Sequence, residues 1–181
     1  TDGVLHDLLL VDELFGFVCD QGLPRLVNLE TPPGGLGVLP EEVAANVPSV
    51  GGTKNPNVEA ICALEPDLIL ANREENTRGD LEQLVQRGFR VYIAFPKRVA
   101  DGLAHLARLA RIFSREGDAD VRAMLKEGYE AVRAAEATQG TRPLLATFCP
   151  IWMKPLMTIH GTTFISDMML LAGASNVFAD R

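Results

Sequence analysis

One stretch, Val47 to Asn76, constrains the fold more than any other: VPSVGGTKNPNVEAICALEPDLILANREEN. It reads as a loop, a short helix, a strand and a polar loop in immediate succession. Gly51-Gly52 supplies backbone freedom ahead of Thr53-Lys54-Asn55. Asn55 is a good N-cap, and Pro56 suits the first helical position, where no N–H is needed. Val58, Ile61 and Cys62 then fall at the i, i+3, i+4 spacing of a helix with one buried face, and Pro66 stops it. Leu68-Ile69-Leu70-Ala71 is a continuous apolar run, short enough for a strand covered on both sides. It empties into Asn72-Arg73-Glu74-Glu75-Asn76, and in open α/β sheets ligands sit at that end of a strand.

The same alternation extends both ways. Upstream, Arg25 to Leu29 reads as a buried strand ending before the loop-like Pro32-Pro33-Gly34-Gly35, with Phe15 to Val18 a further strand candidate and Pro40 to Val43 a helical turn. Downstream, Thr77 with Asp80 resembles a capping box for a helix carrying Leu81, Leu84 and Val85, and Gly88 is its stop. Arg90 to Phe95 is a second strong strand, ended by Pro96. Val99, Leu103, Leu106, Ala110 and Phe113 mark a longer helix. Strands alternating with helices predict a parallel sheet with helices on its faces.

After a break at Ser114 to Gly117, Ala119 to Thr138 is alanine-rich and charged, with Val121, Leu125 and Val132 as its apolar points. That thin stripe suits a strut between lobes. Gly140 ends it, and a second α/β pattern begins: strand Leu144 to Phe148, loop Cys149 to Pro155, strand Leu156 to Ile159, helix Thr163 to Ala172 and a stop at Gly173. The expected fold class is α/β, two small parallel-sheet lobes bridged by one long helix. The lobes divide as 1–116, bridge 117–140 and a partial second lobe 141–181, unfinished at Arg181.

Charge and composition remove several functions. A formal net charge of −7 argues against nucleic acid, which calls for a basic footprint. No apolar run approaches the roughly 20 residues that span a bilayer, and no basic-then-apolar leader begins at Thr1. Cys19, Cys62 and Cys149 match no zinc spacing, and Cys62 reads as a small buried hydrophobe. Neither phosphate-binding glycine fingerprint is present.

VGGTKNPNVEAICALEPDLILANREEN, RVYIAFP and PIWMKPLMTIHGTTFISDMMLLAGASNVF together resemble the helical-backbone (class III) substrate-binding proteins of ABC importers, in the branch of the cobalamin, iron-siderophore and haem receptors. The resemblance covers most of residues 47–181. It implies a ligand held in a cleft between two lobes and delivered to a membrane ABC permease without chemical reaction. It implies no cofactor of the protein's own, and a periplasmic or extracellular place, either free or lipid-anchored. Cobalamin is the nearest ligand, with a ferric siderophore or haem as alternatives. Two departures stand out: Glu30 to Asn46 is short and Gly/Pro-rich where the family has a helix and a strand, and the family's second lobe continues past Asn176-Val177-Phe178.

By this resemblance the ligand residues are Thr53, Lys54, Asn55, Arg73, Glu74, Glu75, Asn76, Phe95, Trp152 and Met153, with Glu59 docking onto the permease. Each also has a plainer reading. Lys54 suits a solvated loop, and Glu74 and Glu75 suit surface pairs with Arg73 and Arg78. Glu59 is explained by the helix dipole alone. Trp152 is either a stacking ring on its loop or a packing residue, while Met153 and Met157 are ordinary core filler. His160 is the best single metal-ligand candidate, and lone; His6 and His105 are weaker candidates, His105 reading as helix surface. The competing class is a small α/β enzyme using the cleft carboxylates Glu74 or Glu75 with Lys54. It would call for a glycine-rich phosphate turn, a nucleophile elbow or clustered ligands, and the chain has none of them.

Overall fold

The structure, a computed structural model, describes residues 26–28 and 48–180. The expectations for His6, Phe15 to Val18, Cys19, Pro32 to Gly35 and Pro40 to Val43 lie outside the described residues. The chain divides into two compact units, Thr1–Phe95 and Pro96–Arg181. The second unit therefore takes in the 99–112 helix, which the sequence reading had put in the first lobe.

In the first unit, β1 (Leu26–Asn28), β2 (Leu68–Asn72) and β3 (Val91–Ala94) form a parallel sheet in that order. Leu26 pairs with Leu68 and Ile69 with Val91, as the short apolar runs between helices predicted. Helices α1 (Val58–Ala63) and α2 (Arg78–Gln86) supply Ile61, Leu81 and Leu84 to a core with Ile69, Ala71 and Val91. Thr77 caps α2 as expected, its Oγ1 accepting the Asp80 N–H at 3.3 Å. Gly88, at φ +89°, turns the chain out of the helix just past its C-cap, Arg87.

The start of α1 corrects the sequence reading. Asn57, not Asn55, is the cap, its Oδ1 accepting the Ala60 N–H at 3.0 Å. Pro56 lies ahead of the helix and bridges back to Gly51. Gly51 at φ +93° makes the difference, because it reverses the chain so that the Asn57 N–H reaches the Val50 carbonyl at 2.7 Å.

The second unit begins with α3 (Val99–Ile112) and α4 (Ala119–Thr138). The latter is unbroken over its full predicted length. At Gly128 the two helices come close: a Cβ there would lie 2.6 Å from Leu103 Cδ2 of α3, whose side-chain end would have to shift. His105, expected on the surface, is half-buried on α3; burial first and Arg108 second hold its imidazole below the usual range.

Then come β4 (Leu145–Thr147), β5 (Pro150–Met153), β6 (Leu156–Thr158), α5 (Phe164–Leu171) and β7 (Ala174–Asn176). β4 and β7 pair in parallel, while β5 and β6 make an antiparallel hairpin. The expected loop over Cys149 to Pro155 is thus a strand for most of its length. Its prolines fall where strands tolerate them, at the first strand position and in the turn. Ile151-Trp152-Met153 between them has good strand propensity. β7 had no sequence signal, since Ala174-Ser175-Asn176 is neither apolar nor β-branched. Buried Asn176 anchors it, donating to the Ile159 carbonyl at 3.0 Å and accepting the Phe178 N–H at 3.0 Å.

Asp167 ties this unit's helices together. Its Oδ2 accepts the Val99 N–H at 2.8 Å, and its Oδ1 lies 3.6 Å from Arg98 Nε. The Val99 N–H is one of the orphan donors of a helix N-terminus. Asp167→Ala is expected to cost about 1–3 kcal/mol by leaving it unpaired. Urea unfolding would show this as a lower midpoint at unchanged slope; an unmoved midpoint would mean that water serves the donor as well.

Candidate functional site

The candidate residues of the first unit lie on two loops that the backbone holds against each other. The first is the reversal that Gly51 starts. A Cβ there would sit 2.7 Å from the Asn55 carbonyl oxygen, so the tight loop presenting Thr53, Lys54 and Asn55 requires glycine. The second follows β2. Asn72 Oδ1 accepts the Glu74 N–H at 2.8 Å, and the Asn76 N–H reaches the Asn72 carbonyl at 2.9 Å. This curls Arg73 to Asn76 into a compact polar turn at the strand's C-terminal end.

Asn76 joins the two loops. Only 6% exposed, it accepts the Asn72 N–H through Oδ1 at 2.7 Å and donates through Nδ2 to the Thr53 carbonyl at 3.0 Å. Above it, the Lys54 ammonium donates to the Glu74 carbonyl and lies 3.8 Å from Glu75 Oε2. Arg73 lays its guanidinium 4.9 Å from the centroid of the Phe95 ring, a cation–π arrangement. Thr53, Lys54, Glu74, Glu75 and Asn76 are thereby brought together, with Arg73 and Phe95 as a pair beside the same strand ends. Asn55 and the Glu74 side chain stand exposed. Lys54 and Glu75 are both half-exposed, so their ion pair is worth about 0–1 kcal/mol and yields readily to a ligand.

Glu59 lies on another part of this unit, in the first turn of α1. It is 76% exposed, with Oε1 2.5 Å from Arg87 Nη2. The hydrogen bond from Arg87 and its charge hold the Glu59 carboxyl below its ordinary range, and the guanidinium is pushed up in turn. Arg87 Nη1 also lies 3.4 Å from Cys62 Sγ. Sequence reading missed Arg87, which is 28 residues from Glu59 and has no local signal.

In the second unit, Trp152 and Met153 stand on the β5–β6 hairpin, 62% and 71% exposed, with Trp152 opposite Met157 and Met153 opposite Leu156. The indole N–H donates to the Lys154 carbonyl at 2.9 Å, so the ring's polar edge is satisfied within its own turn. Ile151, Leu156 and Met157 are also exposed, making the hairpin an apolar surface larger than Trp152 and Met153 alone. His160 is exposed, its Nδ1 accepting the Thr162 N–H at 3.1 Å. Among the described residues no group of three or more His, Cys, Asp or Glu side chains is placed to hold a metal ion. No described helix is long and apolar enough to cross a membrane.

The periplasmic binding protein family matches residues 30–181. The chain belongs to that family. A vitamin B12-binding protein of Pectobacterium carotovorum is 33% identical to this chain over 138 residues, 76% of this chain and 50% of that one. The chain thus spans about half the length of the curated relatives it matches. Among solved structures, the periplasmic vitamin B12-binding protein of Vibrio cholerae superposes with a TM-score of 0.68 at 20% identity, over 87% of this chain and 68% of that one. A periplasmic heme-binding protein of Pseudomonas aeruginosa gives 0.63 at 20% identity, over 85% and 63%. At such identities these structures establish the fold.

Proposed function

We propose that this chain belongs to the substrate-binding component of an ABC importer, which captures a metal chelate, cobalamin foremost, and presents it to a membrane permease in the periplasmic or extracellular space. In this reading Thr53, Lys54, Asn55, Arg73, Glu74, Glu75, Asn76, Phe95, Trp152 and Met153 form the ligand-binding set, and Glu59 docks onto the permease. The observation that carries the reading is the match to proteins named for vitamin B12 binding across 76% of this chain. The enzyme alternative draws no support, since the relatives are named as binding proteins.

Local charge favours cobalamin over the anionic chelates. Lys54 and Arg73 are the only two cations of the paired loops, and the carboxylates Glu74 and Glu75 stand beside them. A ferric siderophore or haem carries carboxylates or catecholates that call for more Arg and Lys than these two loops hold. The other surface offered, the β5–β6 hairpin, is apolar and suits the face of a corrin. Calorimetric titration with cyanocobalamin, hemin and a ferric catecholate chelate is expected to give saturable one-to-one heat with cyanocobalamin, and at least tenfold weaker binding of the other two, about 1.4 kcal/mol. Tightest binding of hemin or the ferric chelate would reassign the ligand, and no saturable heat with any of them would overturn the reading.

A further inference from the structure

The Glu59 carboxylate is not left to find its own geometry. Arg87 is the C-cap of α2, where its backbone N–H donates to the Gln83 carbonyl at 3.1 Å, so its Cα is fixed. Its side chain is less exposed than that of Glu59, 39% against 76%. The guanidinium is held at both ends, by Cys62 Sγ at 3.4 Å and by Glu59 Oε1 at 2.5 Å. Cys62 lies one helical turn beyond Glu59 on α1, so both groups that Arg87 touches stand on the same face of one helix. Two contacts on the guanidinium bias the glutamate toward the rotamer that meets it, and among the described residues Glu59 is held through Oε1 alone. Most of the carboxylate stays in water.

From this we infer that Arg87 is the positioning residue for the Glu59 carboxylate, presetting one oxygen so that the other is offered to a cationic side chain of the permease. The inference rests on the proposed docking role of Glu59 and adds to it a residue outside the contact. A free glutamate would lose its rotamer freedom on docking, whereas one already held loses little, and pre-organisation of this kind strengthens association without adding a contact. The opposite outcome is equally concrete. If Arg87 merely occupied Glu59, a partner arginine would have to displace it, and removing Arg87 would tighten docking.

The test measures docking of the binding protein to the permease of its own importer in nanodiscs. It compares Glu59→Gln, Arg87→Gln, Arg87→Lys and the Glu59→Gln/Arg87→Gln double variant with the unaltered protein. Arg87→Gln is expected to weaken docking about tenfold, Arg87→Lys to recover part of that, and Arg87→Gln to change nothing further in the Glu59→Gln background. Cyanocobalamin affinity by calorimetry should not move in any of them, which separates positioning from a general loss of fold. Unchanged or tighter docking of Arg87→Gln, with Glu59→Gln impaired, overturns the inference and leaves the docking role standing. Unimpaired docking of Glu59→Gln overturns the docking role itself.

Discussion

Asn76→Ala is expected to lower the unfolding free energy by about 1–3 kcal/mol, because two part-buried backbone groups lose their partner at once. The Asn72 N–H at 2.7 Å and the Thr53 carbonyl at 3.0 Å both depend on this one amide, and the residue is 6% exposed, so water has little access to replace it. The consequence for function is local. Thr53 belongs to the loop that presents Lys54, and Asn72 is the last residue of β2, so the amide fixes where the Lys54 loop stands relative to the sheet. Urea unfolding gives the energy, and hydrogen exchange at 51–57 and 72–76 gives the location, with protection lost in those two segments ahead of the core strands. Asn76→Asp is the informative companion. It keeps an acceptor for the Asn72 N–H but sets an oxygen against the Thr53 carbonyl, so it should release the first loop and retain the second. A cost below about 0.5 kcal/mol for the alanine variant, the range of an ordinary surface change, would show that the two loops hold without this link.

What the sequence made legible, and what it hid, follows from the range of the interactions involved. β2, β3 and α4 are readable because each is specified by its own residues: continuous apolar runs for the strands, and an alanine-rich, charged run with Val121, Leu125 and Val132 as its apolar points for the helix. The cap of α1 was placed two residues early because Asn55 and Asn57 are equally good local signals. The choice between them is made by a hydrogen bond back to Val50, which only the reversal at Gly51 creates. Pro150 and Pro155 argued for a loop by composition, yet both sit at positions where a hairpin needs no N–H. β7 was invisible because its stability comes from pairing with β4 and from the Asn176 amide, not from propensity. The site divides in the same way. Lys54 and Glu75 were findable as loop residues after glycines and after a strand, but the contact between Asn76 and Thr53, 23 residues apart, and that between Arg87 and Glu59 are tertiary.

Trp152 carries the remaining large effect, and it reads out the ligand directly. It is the only tryptophan in the chain, so indole emission reports on one place. The ring lies on β5 with 62% exposure, and its N–H is already satisfied by the Lys154 carbonyl at 2.9 Å, so stacking on a flat cofactor would cover the exposed face without breaking that bond. Corrins and haem absorb where indole emits, so a chelate within stacking range should quench most of the fluorescence, and the quench should saturate at the stoichiometry that calorimetry gives. Trp152→Ala is then expected to weaken binding by about 1–3 kcal/mol, the scale of a lost aromatic contact. The fold should hardly notice, since a mostly exposed ring contributes within about 0.5 kcal/mol. That asymmetry distinguishes a binding residue from a packing residue, which would lose stability first and affinity only as a consequence. Exposed Met153, Leu156 and Met157 on the same hairpin sharpen the test: Met157→Ala, opposite Trp152 in the register, should reduce affinity by less than the tryptophan change does. Saturable binding of cyanocobalamin with indole emission untouched would remove the hairpin from the site and leave the ligand to the loops around Lys54.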